Sequence, residues 1–171
     1  MRARRLSILL AAIALSGCTQ TVHGTAVARF SLPVDGFPDT AGYTAVDSES
    51  FYIRDGSPEY GFVFAAPNGL VCAMGSFPTW QSAGAECTGS RPDRGVGDWT
   101  VDAERFGATN VQTSVMPRGA NRMAPPSKAL PQRHYVVDSV DTLCLVTQDS
   151  VVACHVGGHG FILTPDKTTL F

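Results

Sequence analysis

From residue 134 onward the chain is cut into runs too short for helices and rich in β-branched or aromatic side chains: 134–137, 142–146, 151–156, 161–164 and 168–171. Turn-forming clusters separate them, among them Gln148-Asp149-Ser150, Gly157-Gly158 and Pro165-Asp166-Lys167. Short runs at such regular spacing pack as strands joined by reversals. The pattern therefore predicts a mostly β fold, an antiparallel sheet closing into a small sandwich or open barrel. After the first residues no segment sustains a 3.6-residue apolar period. One short helical turn is predicted at 47–53, where Asp47 can cap the start.

The same reading extends upstream. Residues 61–65 and 70–74 flank Ala66-Pro67-Asn68-Gly69 and predict a hairpin, because proline presets the first turn angle and Asn-Gly accepts positive φ. Residues 75–97 read as a loop, 99–101 as a short strand, and 110–116 as a strand alternating Val111, Thr113 and Val115. Pro117, Pro125, Pro126 and Pro131 make 117–133 irregular, since proline removes a donor and clashes with the preceding turn.

The start of the chain is an address. Arg2, Arg4 and Arg5 precede the uncharged run 6–15, and small residues follow. A basic start, a short apolar stretch and a small-residue end describe a secretory signal peptide over residues 1–17. The run is too short to span a bilayer, which takes about 18–20 residues. Removing the leader takes three arginines and moves the formal charge from −2 to −5. A chain so weakly acidic lacks the basic face that a nucleic-acid partner requires.

Leu15-Ser16-Gly17-Cys18 resembles the bacterial lipobox. The resemblance implies that the Cys18 thiol receives a diacylglyceryl group and that the leader is cut before it. Two or three acyl chains exceed what stable anchoring needs, at about 0.8 kcal/mol per buried methylene. Residues 18–50, rich in Thr, Ala, Gly and Pro, then read as a flexible lipid-anchored tether, in part docking as an edge strand, and 51–171 as one extracytoplasmic domain.

Setting Cys18 aside, Cys72, Cys87, Cys144 and Cys154 remain. An even count in an exported chain reads as two disulfides, for which three connectivities exist and spacing alone cannot choose. The preferred pairing joins Cys72 to Cys87 and Cys144 to Cys154, each pair flanking a turn-rich segment. A zinc site or redox dithiol would need a C-x-x-C or a neighbouring histidine at finger spacing, which the sequence lacks.

The run Phe64-Ala65-Ala66-Pro67-Asn68-Gly69 before Cys72, the partner Cys87, the later pair Cys144 and Cys154, and Gly158-His159-Gly160-Phe161 resemble a group of actinobacterial, mainly mycobacterial, secreted proteins and lipoproteins. The resemblance covers the leader, 61–87 and 144–171. It implies placement in the cell envelope, on the extracytoplasmic face of the membrane, and carries no activity. Residues 88–143 resemble nothing familiar.

Several residue sets bear on chemistry. His155 and His159 would share a helix face as metal ligands, but here they flank Gly157-Gly158 in a strand and turn. A structural turn in which His159 bonds to backbone is the preferred reading, with metal binding the alternative. Arg118, Arg122, Lys128 and Arg133, without an intervening acid, could touch an anionic surface, with Met116 and Met123 adding apolar contact. Asp98, Asp102 and Glu104 could pair for acid–base work on a glycan. Ser57, Ser139 and Ser150 sit in turns without a nucleophile-elbow motif. Trp80, Trp99 and Phe77 flank Cys87 and could line a groove for sugar or lipid. The expectation is a membrane-anchored envelope lipoprotein with a binding or structural role, no enzymatic activity and no cofactor. Its partners would be the membrane, through Cys18, and an envelope glycan or lipid. A small envelope hydrolase or metal-binding protein using His155 and His159 is the competing reading.

Overall fold

The computed structural model describes residues 36–52, 60–77, 82–106, 110–118, 128–139 and 141–171. The leader, Cys18, residues 19–35, Ser57, Trp80, Arg122 and Met123 lie outside the described residues.

Strands β2 (Tyr60–Ala65), β3 (Val71–Phe77), β4 (Ser82–Ser90), β5 (Asp98–Phe106) and β6 (Asn110–Pro117) form an antiparallel sheet in chain order. A second sheet runs β7 (His134–Ser139), β8 (Thr142–Val146), β9 (Val152–Val156), β10 (His159–Leu163) and β11 (Thr168–Leu170), again antiparallel and in chain order. The two-residue strand β1 (Thr44–Ala45) joins its edge parallel to β7. Each sheet has its own pair of edges, so the fold is a two-sheet sandwich and not a closed barrel.

Alternation along each strand builds the core between the sheets. Phe62 and Phe64 of β2, Cys72 and Met74 of β3, Ala85 and Cys87 of β4, and Val101 and Ala103 of β5 meet Val136, Cys144, Val146, Cys154, Val156, Phe161 and Leu163 from the other sheet. Burial of each large side chain contributes about 1.5–3 kcal/mol. The disulfides join Cys72 to Cys87 and Cys144 to Cys154, each pair directly opposite on neighbouring strands, and all four residues belong to this core.

The hairpin expected around Pro67 is present. Gly69 N–H donates to the Ala66 carbonyl at 3.0 Å, and Gly69 alone takes the positive φ, +84°. The predicted helical turn is a 3-10 turn at Ser48–Phe51, capped by the Asp47 carboxylate, which accepts the Glu49 N–H at 3.1 Å.

Two expectations change. Residues 75–97 are not a loop, because β4 occupies their centre. Its small residues carry little intrinsic strand preference, and tertiary fit decides: a Cβ on Gly84 would lie 2.7 Å from the Ala103 carbonyl. The strand expected at 99–101 extends over all of β5. Residues 36–52 pack on the body, where β1 forms an edge strand beside β7 as the reading of 18–50 allowed. Phe37 and Tyr43 lie against Leu143, Leu145 and Ala153 on the outer face of the second sheet, and Phe51 enters the main core.

A buried cluster ties the sheets together. Arg91, in the β4–β5 connection, is 1% exposed. Its Nε donates to Thr168 Oγ1 at 3.0 Å, its Nη1 to the Thr164 carbonyl at 2.7 Å, and its Nη2 lies 3.4 Å from Asp93. Asp93 in turn accepts the Thr168 N–H at 2.7 Å. Desolvation lowers the Arg91 pKa against the pull of Asp93. For Asp93, partial desolvation acts upward, but the two Thr168 donors with Arg91 and Arg94 hold the carboxyl below its ordinary value.

Candidate functional site

Because Ala85, Cys87, Val101 and Ala103 face the core, their neighbours Glu86, Thr88, Thr100, Asp102 and Glu104 face outward. The register sets Glu86 directly opposite Asp102 and Thr88 opposite Thr100, whose hydroxyls are 3.2 Å apart. Ser114 of β6 stands on the other side of Asp102 and donates its hydroxyl to both carboxylate oxygens, at 3.0 and 2.9 Å. Asp102 and Glu104, two residues apart on one strand, have Cα atoms roughly 6.6 Å apart by strand rise.

Although it points away from the core, Asp102 is only 6% exposed. Desolvation raises its pKa, partly opposed by Ser114. Glu104 is raised by desolvation and then by the Asp102 charge. Such carboxyls hold protons above the ordinary carboxylate range and can donate them to a bound hydroxyl or glycosidic oxygen. Among the described residues no group of three or more His, Cys, Asp or Glu is placed to hold a metal ion. Asp98, expected beside these two, is engaged elsewhere. It pairs with Arg118 at 3.2 Å and accepts the Arg118 backbone N–H through its own carbonyl at 3.0 Å.

The Asp102 shift sets a direction for stability. The folded carboxyl keeps a proton that the unfolded chain releases, so stability declines as pH rises from the ordinary carboxylate value through the raised one, and stays reduced above it. Asp102→Asn removes the ionisation while leaving an acceptor for Ser114. We expect a higher urea midpoint at pH 7 than wild type and a shallower pH profile; identical profiles for the two proteins would show that Asp102 is not held protonated.

The histidine pair does not converge. His155 follows Cys154 and faces outward on β9, whereas His159 shares the inward parity of Phe161 on β10 and lies exposed at the turn. The imidazole that bonds to backbone is His155, whose Nδ1–H donates to the Gly157 carbonyl at 3.2 Å, in place of the expected His159. Strand alternation sets the two imidazoles on opposite faces of the β9–β10 pair.

The cations are also dispersed. Arg118 follows β6, at an edge of the first sheet. Arg133 precedes β7, donates to the Gly42 carbonyl at 3.0 Å and lies 6.0 Å over the Tyr43 ring. Lys128 is exposed, and its carbonyl accepts the Ala65 N–H at 2.9 Å. Arg118 and Arg133 thus make contacts within the chain, and Arg122 lies outside the described residues. Trp99 lies within β5, opposite Gly89, and Phe77 ends β3. Ser150 sits in a turn with φ +62° and accepts Gln132 Nε2 at 2.8 Å, while Ser139 ends β7.

Two groups do not stand out in the sequence. Glu86 has a usable signal, since Ala85 and Cys87 alternate with Glu86 and Thr88 around a bridged cysteine. Arg91 has none, because Ser90-Arg91-Pro92-Asp93 reads as an ordinary polar turn. No family model, curated protein or solved structure matches this chain, so its function is argued from its own residues.

Proposed function

We propose that this protein is a lipid-anchored lipoprotein of the cell envelope, held on the extracytoplasmic face of the membrane through Cys18, with a binding or structural role. One observation carries the reading. Of the five cysteines, four are bonded to one another, and the remaining one follows Leu15-Ser16-Gly17 directly behind a basic and apolar leader. Disulfides persist in oxidising compartments outside the cytosol, which is where such a leader delivers a chain. The same features support membership of the actinobacterial lipoprotein group that the sequence resembles.

The test is mass spectrometry with detergent-phase partitioning. The mature chain is expected to begin at an acylated Cys18 and to follow the membrane fraction, and Cys18→Ala is expected to leave it. A native protein carrying an unmodified Cys18 in the soluble fraction overturns the anchor.

Within this reading, Glu86, Thr100 and Glu104 on the outer face of the first sheet are suited to hydrogen-bond a polyhydroxylated envelope glycan. The raised carboxyls of Asp102 and Glu104 favour a second reading, acid–base hydrolysis of such a glycan. Release of reducing ends from envelope polysaccharide, abolished in Glu104→Gln, would establish hydrolysis; binding without turnover supports the first.

A further inference from the structure

The segment 36–46 crosses the outer face of the second sheet. Its two-residue strand β1 pairs in parallel with β7, and two backbone bonds flank that pairing: Thr44 N–H to the Arg133 carbonyl at 3.0 Å and Val46 N–H to the Tyr135 carbonyl at 2.9 Å. Arg133 clips Gly42 at 3.0 Å. Apolar contacts complete the hold, with Phe37 and Tyr43 on Leu143, Leu145, Ala153, Tyr135, Val137 and Ile162, and with Val46 at the hinge end against the main core. Beneath Phe37 lies an ionisable side chain. The His155 ring meets Phe37 in a T-shaped contact at 4.7 Å and is 6% exposed, and Phe171 approaches Phe37 at 6.2 Å.

We propose that residues 36–46 are an acid-released strap, closed over the second sheet while His155 is neutral and freed when that imidazole takes up a proton. A cation in this position must be desolvated between an apolar sheet face and a phenyl ring, and lifting the strap restores water to it. A segment held by a two-residue strand opens locally at much less cost than the whole domain, so a single titration can bias it.

Tyr43 and Tyr135 share the apolar cluster with Phe37 on this face. Asp141 precedes β8, attracts the imidazolium, and is itself paired with Arg105. His159 lies across the β9–β10 turn, and Asp39 on the strap caps the Ala41 N–H at 2.9 Å. Desolvation outweighs the Gly157 carbonyl and Asp141 and lowers the His155 pKa. Lifting the strap removes part of that desolvation and moves the imidazole back up toward its ordinary value, so in acid the open form binds more protons and closure weakens as pH falls. Each unit of depression multiplies the open-to-closed ratio about tenfold once the pH lies below both values. The opened face would expose Leu143, Leu145 and Ile162.

Amide exchange on the full mature chain tests this, corrected for intrinsic rates, between about pH 7.5 and about pH 4.5. The Thr44 and Val46 amides are expected to lose protection at least about tenfold, with a midpoint that follows the His155 imidazole resonances, while the β8–β9 ladder stays protected. His155→Leu should keep the strap amides protected at both extremes, and Asp39→Asn should leave the wild-type response intact. Unchanged protection in wild type, loss together with the β8–β9 ladder, or a midpoint that follows a carboxylate would each overturn the proposal, and wild type alone suffices if the leucine variant does not fold.

Discussion

Replacing Arg91 with alanine is expected to destabilise the fold by about 3–5 kcal/mol, the usual effect of removing one partner from a buried charged cluster. The guanidinium donates to Thr168 Oγ1 and the Thr164 carbonyl and faces Asp93, so its loss takes the donor from the Thr164 carbonyl and leaves the Asp93 charge to Thr168 and Arg94 alone. Arg91→Lys keeps the charge but not the forked geometry and should recover only part of the loss. Urea unfolding at pH 7 measures both variants, and a shift within about 0.5 kcal/mol, as for an ordinary surface change, would refute the latch. The latch also sets an acid limit. Because the Asp93 carboxyl is held below its ordinary value, its contribution is complete above that value and is lost as pH falls through the depressed one.

The second large effect lies in the disulfides. Removing Cys72–Cys87 or Cys144–Cys154 by paired alanine substitution should cost about 3 kcal/mol each in the chain-entropy account, for closed loops of 15 and 10 residues. Since an ordinary domain is stable by only about 5–15 kcal/mol, the quadruple variant should be largely unfolded at body temperature while each double variant still folds. Thermal unfolding followed by circular dichroism reads this out. Substitution is a better probe than a reductant, because all four cysteines are buried and thiolate attack needs access to sulfur. A quadruple variant that melts with wild type would show that the core alone carries the fold.

How much of the fold is legible in the sequence differs between regions for physical reasons. The strands beyond residue 134 are predictable to within a few residues, because their β-branched runs and turn clusters are local signals and every strand pairs with its chain neighbour. The preferred cysteine pairing holds for the same reason: each pair sits on adjacent strands of a meander, so nearness in sequence is nearness in space. Strand β4 escapes such a reading because Ser82, Ala83, Gly84 and Ala85 have no strand preference of their own, and Gly84 is required by its close approach to β5. The candidate site is half visible. Asp102 and Glu104 pair by sequence spacing, but Asp98 leaves the set for Arg118, and Glu86 joins it only through the register with β5.

Composition and order of residues thus determined the β class, the bridged cysteines and the capped turn at Asp47, since each depends on propensities and contacts within a short stretch of chain. Tertiary structure alone decided that two meanders would stack as a sandwich, that Arg91 would be buried between them, and that His155 would lie under Phe37, 118 positions away in the sequence. These outcomes depend on which surfaces exclude water together, a property of the assembled sheets that no local stretch of the chain carries.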